Sequence, residues 1–124
     1  MVDSSGWIEF LSNGKNAERF APPLLRAAEL VIPTVVVTEV LRWLRSHGRS
    51  IEAGETARSM SFARTAPLTS ELAEAAAELG IRLRLPLADS IIYATAQALC
   101  AEVWTQDRDF EGLPGVRYLP KPAP

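Results

Sequence analysis

The sequence predicts an α/β fold: a three-layer α/β/α sandwich with a mostly parallel central sheet. Two observations carry this. Short β-prone runs alternate with helical patterns along the whole chain, which is the order of parallel strands joined by helical crossovers. The chain has 124 residues, 48% apolar and 23% charged, which suits one soluble domain with a real core. No repeat or linker interrupts it, so residues 1–119 are expected to form one domain.

Residues 1–5 suit a very short strand that runs into a turn at Gly6. Trp7, Ile8, Phe10 and Leu11 then favour a helical turn or two, ending near Asn13 and Gly14. Asp3 lies at that strand's carboxyl end. Ser4 and Ser5 can cap the helix or bond the carboxylate, and capping is the expected role. Residues 16–30 are expected to be helical in two parts, broken at Pro22 and Pro23. Residues 29–33 suit a buried strand.

Residues 34–46 carry conflicting signals. Val35, Val36 and Val37 favour strand, but Val36, Val40, Trp43 and Leu44 recur at helical spacing. We read a helix from about Thr34, with His47 and Gly48 as its stop. Glu39 then sits on the second turn, one turn from Arg42. A solvated pair with Arg42 and a role in a site are both open to it.

Residues 50–64 predict a mildly amphipathic helix with Gly54 as a weak point, and residues 65–68 an extended stretch. Thr69 or Ser70 caps a helix over 71–79 that stops at Gly80. Residues 81–85 alternate and lead into the next helix. Pro86 and Asp89 mark its start, since Asp there can accept orphan backbone N–H bonds. Residues 91–99 carry no charge, so this helix is expected to be buried on most of its surface. Val103–Thr105 is a strand, and Asp107 and Asp109 would share a face if it ran on. A turn at 112–115 precedes a last strand at 116–119. Residues 120–124 form a Pro-rich tail expected to be disordered.

Composition narrows the function. The net charge is −2, so no global basic field draws in nucleic acid, and any such contact must be local. Eleven of the thirteen basic residues are Arg, which suits bidentate phosphate or carboxylate contacts. The single cysteine, Cys100, rules out an internal disulfide and most zinc motifs, and is expected to be a small buried hydrophobe. The single histidine, His47, argues against a Ser/His/Asp hydrolase and suits a helix C-terminus. The first residues carry no signal-peptide pattern. The longest apolar run, 30–37, is too short to span a bilayer. The expected setting is cytoplasmic.

The aspartates sharpen the picture. Of fifteen acidic residues only Asp3, Asp89, Asp107 and Asp109 are aspartates. All four fall at a predicted strand end or helix start, where caps and turns also favour Asp. Parallel strands send their carboxyl ends to one edge. Asp3 and Asp107, and Asp109 if the strand runs on, lie there; Glu39 and Asp89 sit early in helices that leave it. Two carboxylates about 4 Å apart repel by roughly 4 kcal/mol at an effective dielectric of 20. No lysine is near in sequence to offset this. A divalent cation would be, and an oxygen-only ligand set points to Mg²⁺ or Mn²⁺. Such ions support hydrolysis of phosphodiesters.

Four motifs then resemble one family. Residues 2–5 (VDSS), 38–41 (TEVL), 87–96 (LADSIIYATA) and 104–110 (WTQDRDF) are similar in order and spacing to the PIN domain, in particular to VapC-type toxins of bacterial toxin–antitoxin pairs. The last two motifs are the specific ones. The departures are a very short strand before Asp3 and Trp104 where an aliphatic residue is usual. The resemblance implies a Mg²⁺- or Mn²⁺-dependent ribonuclease, a homodimer and a small VapB-like antitoxin partner. Carried over by motif, the catalytic quartet is Asp3, Glu39, Asp89 and Asp107. Asp3, Asp89 and Asp107 would hold metal, Asp109 would be auxiliary, and Ser4 or Thr105 would support the carboxylates. Arg42, Arg45, Arg82, Arg84 and Arg108 are the guanidinium candidates for an RNA backbone.

Other classes fit less well. A phospho-receiver needs a lysine near the pocket, but the only lysines are Lys15 and Lys121. A haloacid-dehalogenase-like phosphatase wants Asp where Ser5 stands. A PIN-like module that binds RNA or protein without cutting, and a housekeeping RNA-processing nuclease, stay open.

Overall fold

In the computed structural model, which describes residues 1–123, short strands alternate with helices from end to end. Pro124, the last residue of the expected disordered tail, lies outside the described residues. The helices are α1 (Ser4–Leu11), α2 (Ala17–Leu24), α3 (Thr34–Ser46), α4 (Ser50–Met60), α5 (Ser70–Leu83) and α6 (Leu87–Ala98). The strands are β1 (Val31–Pro33), β2 (Arg64–Ala66), β3 (Val103–Thr105) and β4 (Val116–Tyr118), with a 3₁₀ turn at Arg108–Phe110.

Every strand pairing is parallel. β1 pairs with β2, Val31 opposite Arg64, and β3 with β4, Thr105 opposite Tyr118. The chain start lies along β3: Val2 bridges Trp104 in parallel. The Asp3 N–H donates to the Trp104 carbonyl at 3.1 Å, and the Trp104 N–H to the Met1 carbonyl at 2.9 Å. Asp3 and Thr105 therefore emerge side by side at one carboxyl edge. Helix packs on helix in the pairs α5–α6, α1–α2 and α3–α4, while α1 rests on β3 and α3 on β1. Val2, Phe20, Ile32, Val36, Val40, Leu44, Ile92, Val103 and Phe110 form the centre of one core. No helix among the described residues is long and apolar enough to cross a membrane.

Several local expectations hold. Helix α3 runs over Thr34–Ser46 and buries Val36, Val40 and Leu44. Helical periodicity here outweighs the β preference of three valines, because that spacing buries one continuous face. Thr69 caps α5, its Oγ1 accepting from the Leu72 N–H at 3.2 Å. His47 ends α3, with Nδ1 2.8 Å from the Trp43 carbonyl and its ring stacked on Trp43. Helix α6 is buried from Ile92 to Ala96.

Others are corrected. Helix α1 begins at Ser4, so Gly6 is helical and makes no turn. A Cβ at Gly6 would lie 2.5 Å from Val2 Cγ1 and 2.8 Å from the Phe20 ring; the glycine serves close packing. Pro22 and Pro23 do not divide two helices: both lie inside α2, which ends just after them, at Leu24. Helix α4 stops at Met60, because Arg64 is drawn into pairing with β1. Helix α5 passes through Gly80 and ends at Leu83, capped by Arg84 in the left-handed conformation (φ 55°). Gly80 is instead a contact point, where a Cβ would fall 2.5 Å from Ser90 Oγ on α6. Strand β3 stops at Thr105, so Asp107 and Asp109 do not share a strand face. Cys100 is not the expected buried hydrophobe: it follows α6 at φ 53° and is exposed.

Two glycine substitutions should act with opposite signs. Gly6→Ala, which forces a methyl into Val2 and Phe20, is expected to destabilise the protein by about 1–3 kcal/mol. Gly54→Ala in α4 meets nothing within 4 Å and is expected to stabilise by about 0.5–1 kcal/mol. Urea midpoints measure both, and a neutral Gly6→Ala would show that the α1–α2 approach is loose.

Candidate metal centre

The site is built outward from Asp3. Its carboxylate caps α1, Oδ1 accepting from the Gly6 N–H at 3.0 Å and from Ser5 Oγ at 2.7 Å. Oδ2 accepts from Thr105 Oγ1 at 2.6 Å. The expectation that a serine caps α1 is therefore corrected. Asp3 does the capping, because it stands in extended backbone directly before the helix. Ser5 instead braces that carboxylate, and its Oγ also accepts from the Gln106 N–H at 3.1 Å. Ser4 Oγ reaches across to α3 and donates to Glu39 Oε1 at 2.5 Å. Glu39 forms no ion pair with Arg42: among the described residues the ion pairs are Arg49–Glu52 and Arg117–Glu102.

Beyond β3 the chain turns sharply. Thr105 Oγ1, which bonds Asp3, also accepts from the Asp107 N–H at 2.9 Å. Asp107 then caps the 3₁₀ turn, Oδ1 accepting from the Asp109 N–H at 2.9 Å. This fold-back takes Asp109 off the strand and returns it to the side of Asp107. Asp89 comes from the first turn of α6. It was expected to accept orphan N–H bonds there, but among the described residues its carboxylate accepts none, and α6 has no side-chain cap. Asp89 and Asp109 are thus the aspartates whose carboxylates accept no hydrogen bond among the described residues, while those of Asp3 and Asp107 do.

Asp89, Asp107 and Asp109 each offer a carboxylate oxygen, all within 4.8 Å of one another. Asp3 and Glu39 stand beside this trio and are held by their own hydroxyl partners. Burial, then the charges of Asp107, Asp3, Asp109 and Glu39, push the Asp89 carboxyl up to about 7. All five acids thus act on one spot. Asp3 is 2% exposed. Burial raises its carboxyl to about 6 despite the bonds from Thr105, Ser5 and Gly6, and Asp107 adds to the rise.

The donors fit a small hard cation. Oxygens around an octahedral Mg²⁺ at about 2.1 Å lie roughly 3–4.2 Å apart, so the trio needs only slight closure. No thiolate or imidazole belongs to the cluster, which favours Mg²⁺ or Mn²⁺ chemistry over zinc. The five arginine candidates, Arg42, Arg45, Arg82, Arg84 and Arg108, are all exposed, and none forms an ion pair among the described residues. Arg108 is next to Asp107 in sequence; the other four lie on α3 or at the end of α5. Sequence reasoning missed Gln106 and Asn16, which are buried polar residues at this edge. Only their place beside Asp107 and before α2 could have drawn notice.

Parallel strands, flanking helices and a crowd of carboxylates at one strand edge define an α/β protein with an oxygen-only acidic centre. The chain belongs to the PIN domain family, whose model matches residues 1–116. Among solved structures, a chain of a toxin–antitoxin complex from Klebsiella pneumoniae is similar to it. It superposes with a TM-score of 0.80 at 25% identity, over 94% of this chain and 93% of that one. No curated protein matches the sequence.

The raised carboxyls set a pH dependence. Asp3 and Asp89 hold protons more tightly folded than unfolded, between the ordinary 3.8 and about 6 or 7. Metal-free stability from these groups is therefore full below pH 4 and is lost as pH rises through 6 to 7. Thermal melts in EDTA should show Asp89→Asn flattening that decline, and raising the midpoint at pH 7.5 by about 3–6 °C per 1 kcal/mol of repulsion removed. An unchanged slope in the variant would mean that Asp89 feels no crowding.

Proposed function

We propose that the protein is a Mg²⁺- or Mn²⁺-dependent endoribonuclease that acts as the toxin of a toxin–antitoxin pair. The observation that carries this is the convergence of Asp3, Glu39, Asp89, Asp107 and Asp109 with no ion-paired cation among them. Membership of the PIN family supports a nuclease. The similarity to a chain of a toxin–antitoxin complex supports the toxin role and a small antitoxin partner.

Asp3, Asp89 and Asp107 would hold the ion, and Asp109 stands close enough to share in it. A bound Mg²⁺ or Mn²⁺ supplies charge neutralisation at the phosphodiester and a more acidic water. The rest is done by side chains of this chain. Glu39, aimed by Ser4, orients the attacking water and accepts its proton. Thr105 ties Asp3 to the Asp107 backbone, so acids from both ends of the chain keep one geometry. Attack by water, and not by the ribose 2′-hydroxyl, leaves a 5′-phosphate and a 3′-hydroxyl. Arg42, Arg45, Arg82, Arg84 and Arg108 offer exposed guanidinium groups to the RNA backbone. Leu25, Ile51, Phe62, Ile81 and Leu87 are large, apolar and exposed. They support burial against protein partners, an antitoxin and a second copy of this chain. With RNA as substrate, the expected setting is the cytoplasm.

Purified protein should cut a fluorescent RNA with Mg²⁺ or Mn²⁺ and stop in EDTA. Asp89→Asn should lower the rate by about 10²–10⁴-fold with an unchanged far-ultraviolet dichroism spectrum. Equal cleavage by wild type and variant would reveal a contaminating nuclease and remove the proposal.

A further inference from the structure

Next to the acidic cluster, past the carboxyl ends of β3 and β4, lies a cavity of about 920 Å³. Sites for small organic ligands span about 300–1,000 Å³. Asp107 forms part of its wall, so the cavity adjoins the carboxylate trio. Gln106, Arg108, Tyr118 and Lys121 also line it.

Gln106 is 5% exposed, and its amide has a fixed orientation. Asn16 Nδ2 donates both to the Pro120 carbonyl at 3.1 Å and to Gln106 Oε1 at 3.2 Å. A carbonyl only accepts, so Pro120 sets Asn16 as the donor, and Asn16 in turn sets the Gln106 oxygen as the acceptor. The Gln106 NH₂ is left without a partner among the described residues. It is not a fully buried atom, since among the described residues the buried side-chain polar atom without a partner is Trp7 Nε1; the Gln106 NH₂ is open to the cavity that this residue lines. Nearby, Arg108 and Lys121 form no ion pair among the described residues, although the neighbouring cluster is acidic. Tyr118 offers an aromatic ring of the kind on which bases stack.

We propose that this cavity holds one nucleotide of the RNA beside the cleaved phosphate and prefers a keto base, uracil or guanine. The inference rests on the ribonuclease reading above. The Gln106 NH₂ donates to uracil O4 or guanine O6. Cytosine and adenine place an amino group there. The Gln106 oxygen that could accept from it is turned to Asn16, and the NH₂ is the end left for the base. A free glutamine amide pairs with adenine through both of its ends; this one has a single end to give. Tyr118 stacks on the base, while Arg108 and Lys121 hold its phosphates.

The test titrates the four nucleoside 5′-monophosphates into the full chain in EDTA, followed by NMR. Uridine and guanosine monophosphates should bind about fivefold more tightly than the cytidine and adenosine forms, the worth of one hydrogen bond. Gln106→Glu still accepts from Asn16 but turns an acceptor to the cavity, so the preference should reverse. Lys121→Glu, on the exposed rim, should weaken all four alike and keep the ratio; it serves if Gln106→Glu does not fold. Equal affinities in the wild type, or an unaltered ratio in Gln106→Glu, would overturn the proposal. RNA cleavage that depends on Asp89 but shows no base preference sinks this inference alone. Keto-selective binding without metal-dependent cleavage sinks the ribonuclease reading and leaves a nucleotide site.

Discussion

Five carboxylates share one edge of this small domain, and their mutual repulsion is the constraint to which its local structure answers. Two of them, Asp3 and Glu39, are restrained by hydroxyl groups. Asp3 takes part in the first helix cap and in the bond to Thr105, so acid groups from both ends of the chain are fixed by the same few contacts. Freed from those contacts, the acids would separate and lower their energy. The core prevents this, because Val2, next to Asp3, and Val103, two places before Thr105, are fully buried. Hydrophobic packing thus supports an electrostatic arrangement that is unfavourable on its own.

Structure and chemistry share side chains here to an unusual degree. Asp3 is at once a helix cap and a member of the cluster, and Asp107 caps the 3₁₀ turn while standing in the trio. The capping preference of Asp and its use in a site are therefore joint uses of one carboxylate. Asp89 differs, as Asp109 does: its carboxylate accepts no hydrogen bond among the described residues. It also has the higher of the two raised carboxyls, about 7 against about 6 for Asp3, although Asp3 is the more buried. Three hydrogen bonds temper Asp3, whereas burial and then the neighbouring carboxylates raise Asp89 with no hydrogen bond to offset them.

The alternation of strands and helices, and the placing of acids at strand ends and helix starts, were legible because both follow from local patterns. Thr34–Ser46 was legible as a helix for the same reason: its apolar spacing is a property of one segment. What could not be read locally was decided by contacts between segments. Gly6 and Gly80 look like turn residues in sequence, but each admits a neighbour, Phe20 or Ser90, that is distant along the chain. Asp109 looked like a strand residue two places from Asp107. The bond from Asp107 N–H to Thr105 ends the strand and folds Asp109 back. Cys100 reads as buried because the helix before it is apolar, but it lies past the helix end, in a left-handed turn, and is exposed.

The same distinction explains why the acids were legible and Gln106 was not. A carboxylate announces itself by charge, and several at strand ends invite the question of what offsets them. An amide is neutral and common, and its significance depends on which end is occupied. Here that is settled by Asn16, ninety positions away in sequence, and by the Pro120 carbonyl beyond the last strand. Residues whose meaning lies in their partner's orientation are invisible to pattern and plain in coordinates. On the proposed reading, the cluster would assist cleavage of any phosphodiester. Discrimination between RNAs would then come from neutral, oriented groups beside it, and the Gln106 edge is where this chain holds one.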